Sequence, residues 1–145
     1  MGLFLAAGVL NAANPEMGTW KLNEGKSKIA SGTVKNTTVV YSRTMMGKVK
    51  VTTDGVNAKG KREHTEWTGK FDGKDYALSG DPMSDMRAYT KVNDRTLELT
   101  SKKDGKVTGT GRVVISADGK SRTVTVNGTT PKGKKYKSVA VYDKE

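Results

Sequence analysis

The chain contains no cysteine, which removes disulfides, thiolate chemistry and cysteine-held zinc at a stroke. It has a single histidine, His64. A lone imidazole without an acidic or cysteine cluster at ligand spacing makes a poor metal site and a poor haem ligand. Apolar residues are scarce at 34%, and mean hydropathy is -0.63. A large solid core is therefore not expected. The only long apolar run is Leu3-Phe4-Leu5-Ala6-Ala7-Gly8-Val9-Leu10, too short to span a bilayer. No segment shows sustained helical periodicity. Acidic side chains are also in deficit, 15 against 26 basic ones.

Three enzyme signatures are missing as well. There is no Ser-His-Asp ordering, no nucleophile elbow and no phosphate loop. Gly109-x-Gly111 lies in a strand-like segment with no helix behind it, so it does not form a nucleotide-binding turn. The Gly80–Asp85 segment carries Asp81 and Asp85 beside Arg87. It lacks the regular oxygen spacing of a calcium loop and reads as a polar turn started by Asp81 before Pro82. No cofactor or metal is implied. A catalytic role is less expected than a binding one.

What the chain has in abundance is turn punctuation. Met46-Gly47, Lys59-Gly60, Asp72-Gly73, Asp104-Gly105, Asp118-Gly119 and Lys132-Gly133 separate segments of β-branched residues. Asn93-Asp94 supplies another reversal. Such pairs suit tight hairpins, and their spacing is that of an all-β sandwich or barrel. The pattern predicts strands near 17–22, 33–45, 48–57, 61–71, 74–79, 86–92, 95–103, 106–116, 120–129 and 134–143. Ten antiparallel strands joined by hairpins make an up-and-down meander, and closing it into a barrel removes both edges. Two segments resemble each other weakly, 54–61 and 127–134; their strand glycines Gly55 and Gly128 suggest bulges or bends.

The domain organisation expected is one β-barrel domain over 14–145. Residues 1–13 read as a secretory signal peptide trimmed at its start, since small residues at Ala12-Ala13 follow the apolar run but no positive segment precedes it. An apolar first strand or helix of the mature fold is the alternative. Export places the domain in the periplasm or outside the cell. The net charge of +11 favours contact with anionic surfaces, yet the lysines are dispersed and suit a solvated barrel exterior. Aromatic and basic residues such as Tyr41, Arg43, Tyr136 and Lys137 are too scattered for a nucleic-acid platform.

Gly18-Thr19-Trp20-Lys21-Leu22 resembles the first strand of the calycin group, the lipocalins and intracellular fatty-acid-binding proteins. Val139-Ala140-Val141-Tyr142-Asp143-Lys144-Glu145 looks like the last strand of the fatty-acid-binding proteins. The short form is similar to exported bacterial lipocalin-like proteins. The resemblance implies a calycin-like barrel holding a hydrophobic or amphipathic ligand, with an anionic head as one form, and a monomer. It also carries departures. Residues 23–32 are too few for a two-helix lid at ~1.5 Å per residue. Ala140 stands where the family's carboxylate clamp has an arginine. Arg112 lies at the offset of the family's second interior arginine and would form a partial clamp with Tyr142.

Strand alternation adds to the candidate ligand-binding set. Within 61–71, Glu63, Thr65, Trp67, Gly69 and Phe71 share one face, and the aromatics make it the natural inner one. His64 and Glu66 then face solvent; a register inverted by one residue would bring them inside as an acid–base pair. Arg87 and Tyr89 share a face and offer a cation and a phenol to an anionic head if they point inward. The set is Trp20, Trp67, Phe71, Arg87, Tyr89, Arg112 and Tyr142, with Trp20 closing the barrel base. The competing reading is a structural barrel whose basic exterior adheres to anionic polymers or envelope surfaces.

Overall fold

A computed structural model describes residues 15–145; the expected signal peptide at 1–13 lies outside them. The fold is a closed barrel of ten antiparallel strands. The strands are β1 (Gly18–Leu22), β2 (Lys35–Arg43), β3 (Val49–Val56), β4 (Arg62–Gly69) and β5 (Tyr76–Ser79), followed by β6 (Met86–Asn93), β7 (Thr96–Lys103), β8 (Lys106–Ile115), β9 (Ser121–Thr129) and β10 (Lys135–Lys144). Each pairs with its sequence neighbour, and β1 closes on β10 through Trp20↔Lys144, Lys21↔Asp143 and Leu22↔Tyr142. Among the described strands the closure gives every one a neighbour on both sides.

The Gly-containing pairs place the hairpins as expected. At Asp104-Gly105 both residues take positive φ, 49° and 81°. That is the backbone twist a two-residue hairpin needs, and β7 and β8 pair directly across it at Lys103↔Lys106. Between β1 and β2 there is a single 3-10 turn, Glu24–Lys26, capped by the Asn23 side chain. The connection then crosses one end of the barrel and bridges to β10 at Lys28↔Val139. No described helix is long and apolar enough to cross a membrane.

Three register shifts interrupt the ladders; the one between Lys91 and Asn93 lies at the end of β6, and the other two bear on which side chains face inward. One lies between Asn36 and Thr38 of β2, opposite Gly55, so that strand glycine does accompany a bend. Gly128 does not: the ladders on both its sides run without a break. The second irregularity is a bulge in β8. Lys102 pairs with Val107 but Ser101 pairs with Gly109, leaving Thr108 as an extra residue. One extra residue turns every later side chain to the opposite face.

The two ends of the barrel differ. At the end reached by the N-terminus of β1, Trp20, Leu97 and Ile115 are fully buried and fill the interior. Beside them an aromatic cluster forms around Trp67. Its ring meets Tyr89 edge-on at 4.7 Å, Tyr76 edge-on at 5.5 Å and Phe71 in a stack at 6.3 Å. Such pairs contribute about 0.5–1.5 kcal/mol each beyond burial. The opposite end is spanned by residues 23–34 and 80–85, and the interior beneath them stays open.

Candidate functional site

A cavity of ≈ 180 Å³ occupies the barrel below that open end. Alternation along each strand supplies its walls: Val39 and Tyr41 from β2, Val51 and Thr53 from β3, Leu99 and Ser101 from β7, Val124 and Val126 from β9, Ser138, Ala140 and Tyr142 from β10. The mouth is lined by Ile29, Thr33, Val34 and Asn36 on one side and by Asp81, Met83 and Ser84 on the other. Apolar and hydroxyl-bearing side chains alternate along this wall, and the volume is below the roughly 300–1,000 Å³ of drug-sized ligand pockets, which restricts any guest to a small molecule.

The inner end of the cavity is defined by Arg122, near the start of β9. Its residue is 4% exposed. It points inward because it shares a face with Val124 and Val126. Three aromatic rings surround the guanidinium: Tyr41 at 4.9 Å, Tyr142 at 5.1 Å and Trp20 at 5.5 Å from Cζ. A cation over desolvated rings gains about 2 kcal/mol or more in favourable cases. Hydrogen bonding is another matter. Nε and Nη1 are sealed from solvent and have no partner among the described residues. None of the ion pairs among those residues includes Arg122. Taking such an ion out of water costs several kcal/mol.

The phenols beside Arg122 do not neutralise it. Burial pushes the Tyr142 hydroxyl up to about 12, with the Arg122 charge working the other way. Burial raises Tyr41 further still, against the same opposing charge. Both are neutral phenols at ordinary pH. The Tyr142 hydroxyl already donates to the Asn36 carbonyl at 2.9 Å. Below Trp20, burial raises the carboxyl of Glu16 as well, and its main-chain oxygen accepts the Trp20 indole N–H at 2.9 Å.

Of the residues singled out from sequence, Arg87, Tyr89 and Tyr142 line the cavity. Arg87 Nε donates to Ser101 Oγ at 2.9 Å. Trp20 lies beneath Arg122, within the filled end. Trp67 and Phe71 belong to the aromatic cluster behind Tyr89 rather than to the cavity wall, and Trp67 Nε1 donates to the Arg87 carbonyl at 2.9 Å. Phe71 lies just past the end of β4, whose last residue is Gly69.

Arg112 requires a correction. It is on the outer surface, where Nη2 meets Glu98 Oε2 at 2.8 Å, and it cannot form a clamp with Tyr142 inside. The Thr108 bulge is the cause. Val107 faces out, 57% exposed, and plain alternation from there would have turned Arg112 inward. The inner positions go instead to Gly109, Gly111, Val113 and Ile115.

His64 faces outward. Nδ1 is 2.7 Å from Asp54 Oδ1 and Nε2 is 3.0 Å from Glu66 Oε2, on the surface and away from the cavity. Hydrogen bonds to Glu66, then to Asp54, raise its pKa above the ordinary 6.5. Among the described residues no group of three or more His, Cys, Asp or Glu is arranged to hold a metal ion.

Arg122 and Tyr136 are the residues that sequence reasoning passed over. The sequence signal for Arg122 was available: a basic residue in phase with Val124, Val126 and the glycine Gly128. Tyr136, near the mouth, lies across Gly128; a Cβ there would sit 2.6 Å from its hydroxyl oxygen and 2.8 Å from the Thr108 carbonyl. Only a glycine leaves room for the ring.

No protein-family model matches the chain, and no curated protein matches it. Among solved structures it is similar to a redesigned beta barrel, mFAP1, bound to DFHBI. The two share 16% identity over 92% of this chain and 99% of that one, with a TM-score of 0.48.

Proposed function

We propose that this chain is an exported binding protein that holds a small amphipathic molecule inside its barrel. The observation that carries this reading is the cavity itself, closed at the Trp20 end, with valines, Leu99 and Ala140 alternating with hydroxyl-bearing side chains such as Thr53, Ser101 and Ser138 along its wall. A preformed space of this kind binds by taking apolar surface out of water while fixed polar groups orient the guest. Its volume favours a medium-length chain or a single ring over a long lipid. Calycin-like strands at both ends of the chain and the apolar segment 3–10 support a lipocalin-like carrier working outside the cytoplasm.

Calorimetric titration of the purified protein with decanol and decanoate tests this reading. Saturable binding of one ligand per barrel is expected for at least one of the two. A flat isotherm for both would refute it.

A further inference from the structure

We infer that the cleft between the β7–β8 and β9–β10 hairpins, on the outer wall beside the mouth, binds a linear polysaccharide that carries one carboxylate per sugar. The inference goes beyond the cavity reading and stands whether or not the cavity takes a guest.

The charge of the chain is unevenly placed. Residues 99–142 hold ten basic side chains against two acidic ones, Asp104 and Asp118. Asp118 lies in the β8–β9 turn, at the Trp20 end. Lys103, Lys106, Lys132, Lys134, Lys135 and Lys137 are all exposed at the mouth end of the two hairpins. None of them takes part in an ion pair among the described residues. Unpaired ammonium groups gathered on two neighbouring turns make a positive field that draws a polyanion. At the far end of the barrel the β4–β5 turn is balanced instead, with Lys70 and Lys74 beside Asp72 and Asp75.

Between the two hairpins the wall opens. The β8–β9 ladder stops at Gly109↔Gly128, whereas β8 reaches back to Lys106 and β9 continues to Thr129. The open cleft of ≈ 290 Å³ left between them is lined by Val107, Thr110, Asn127, Thr129 and Lys135 among others. Register sets Thr110, Asn127 and Lys137 in one row across β8, β9 and β10, and Thr129 opposite Lys135. Hydroxyl and amide groups thus make the floor, with the lysines of both turns beside it.

The make-up of the cleft selects among polyanions. A bilayer needs apolar side chains at the contact, and of the large exposed apolar residues only Val107 lines the cleft. A nucleic acid needs rings on which bases stack, and the one ring here, Tyr136, is folded over Gly128. A polysaccharide uses what is present. Its hydroxyls exchange hydrogen bonds with Thr110, Asn127 and Thr129, and its carboxylates meet ammonium groups. Lys135 and Lys137 stand ~6.6 Å apart along β10, on the order of one sugar unit, so successive carboxylates face successive lysines.

The test follows a fluorescent guluronic acid octamer by anisotropy at low salt, with octamers of dextran, glutamate and single-stranded DNA as comparisons. The guluronate should bind saturably, more tightly than glutamate or DNA, and weaken as salt is raised; dextran should not bind. Lys135→Gln with Lys137→Gln should weaken it at least ~tenfold. Asn127→Ala should weaken it about threefold with the salt dependence unchanged. Lys70→Gln with Lys74→Gln removes the same charge at the far end and should stay within about twofold. Absence of saturable binding, or equal losses from the two lysine pairs, would overturn the site. Equal or tighter binding of glutamate or DNA would overturn the polysaccharide assignment. Should the Lys135/Lys137 variant not fold, the ranking of the four probes and the Asn127→Ala result decide the matter.

Discussion

The guanidinium carbon of Arg122 lies 5.5 Å from the centre of the Trp20 ring, and the indole beneath it is anchored through its N–H to the Glu16 carbonyl. This contact joins the filled end of the barrel to the open cavity. It also bears on stability. Arg122 gains from three rings but leaves Nε and Nη1 without an acceptor, so replacing it with an apolar side chain of similar length removes cost and benefit together. Arg122→Met is expected to change the unfolding free energy of the empty protein by less than ~2 kcal/mol. Urea denaturation measures it. A loss above ~3 kcal/mol would make Arg122 a structural pillar instead.

Alkaline pH should weaken the fold through the buried phenols. Tyr142 has its pKa raised to about 12 in the folded chain, against roughly 10 when unfolded. Below the unfolded value both states hold the proton and the full stability is present. Above it the unfolded chain ionises first, so stability falls as pH rises through the folded value. Tyr142 alone accounts for about 2–3 kcal/mol of that fall, and Tyr41 adds to it in the same direction. Urea midpoints measured across this range should decline less steeply for Tyr142→Phe than for the wild type. Identical slopes would show that the phenol is not held neutral by burial.

Gly128 and Tyr136 should behave as one unit. A Cβ on Gly128 would overlap the Tyr136 hydroxyl at 2.6 Å and its Cζ at 2.7 Å. Gly128→Ala is expected to cost about 1–3 kcal/mol, as overpacking does. Tyr136→Ala in the same chain should relieve part of that cost, which a double-mutant cycle by thermal unfolding reads directly. Purely additive effects would place the strain at the Thr108 carbonyl rather than on the ring.

His64 should titrate above 6.5 and have no part in binding. Its ring is held between Glu66 and Asp54 on the outer surface. With the folded pKa raised, its contribution is present below the unfolded value and lost as pH rises through the folded one. Proton NMR of the imidazole follows the titration. His64→Ala is expected to leave decanoate affinity unchanged; a weakened affinity would mean that the outer cluster is coupled to the cavity.

The barrel was legible because its instructions are local. Asp104-Gly105 and Asp118-Gly119 specify tight turns by backbone chemistry, and alternation between turns needs no distant partner. The orientation of β4 was legible for the same reason, since Trp67 and His64 have opposite parity. The site was harder. Arg112 failed because a single-residue bulge at Thr108 reverses parity, and nothing in Lys106-Val107-Thr108-Gly109 announces it. Trp67 and Phe71 are inward but sit in the packed cluster, a distinction that depends on how ten strands curve around one another. Arg122 could have been found from its phase with Val124 and Val126. The sealing of its Nε and Nη1 away from any partner could not, because that depends on strands β1, β2 and β10 meeting around it.

The most direct measurement titrates decanol and decanoate separately into the ¹⁵N-labelled protein and follows the backbone amides by NMR. Saturable shifts are expected for at least one of the two at cavity-lining residues such as Leu99, Val124 and Ala140, with the amides around the outer His64 unmoved. No shift with either probe, or shifts confined to the outer surface, would contradict the account.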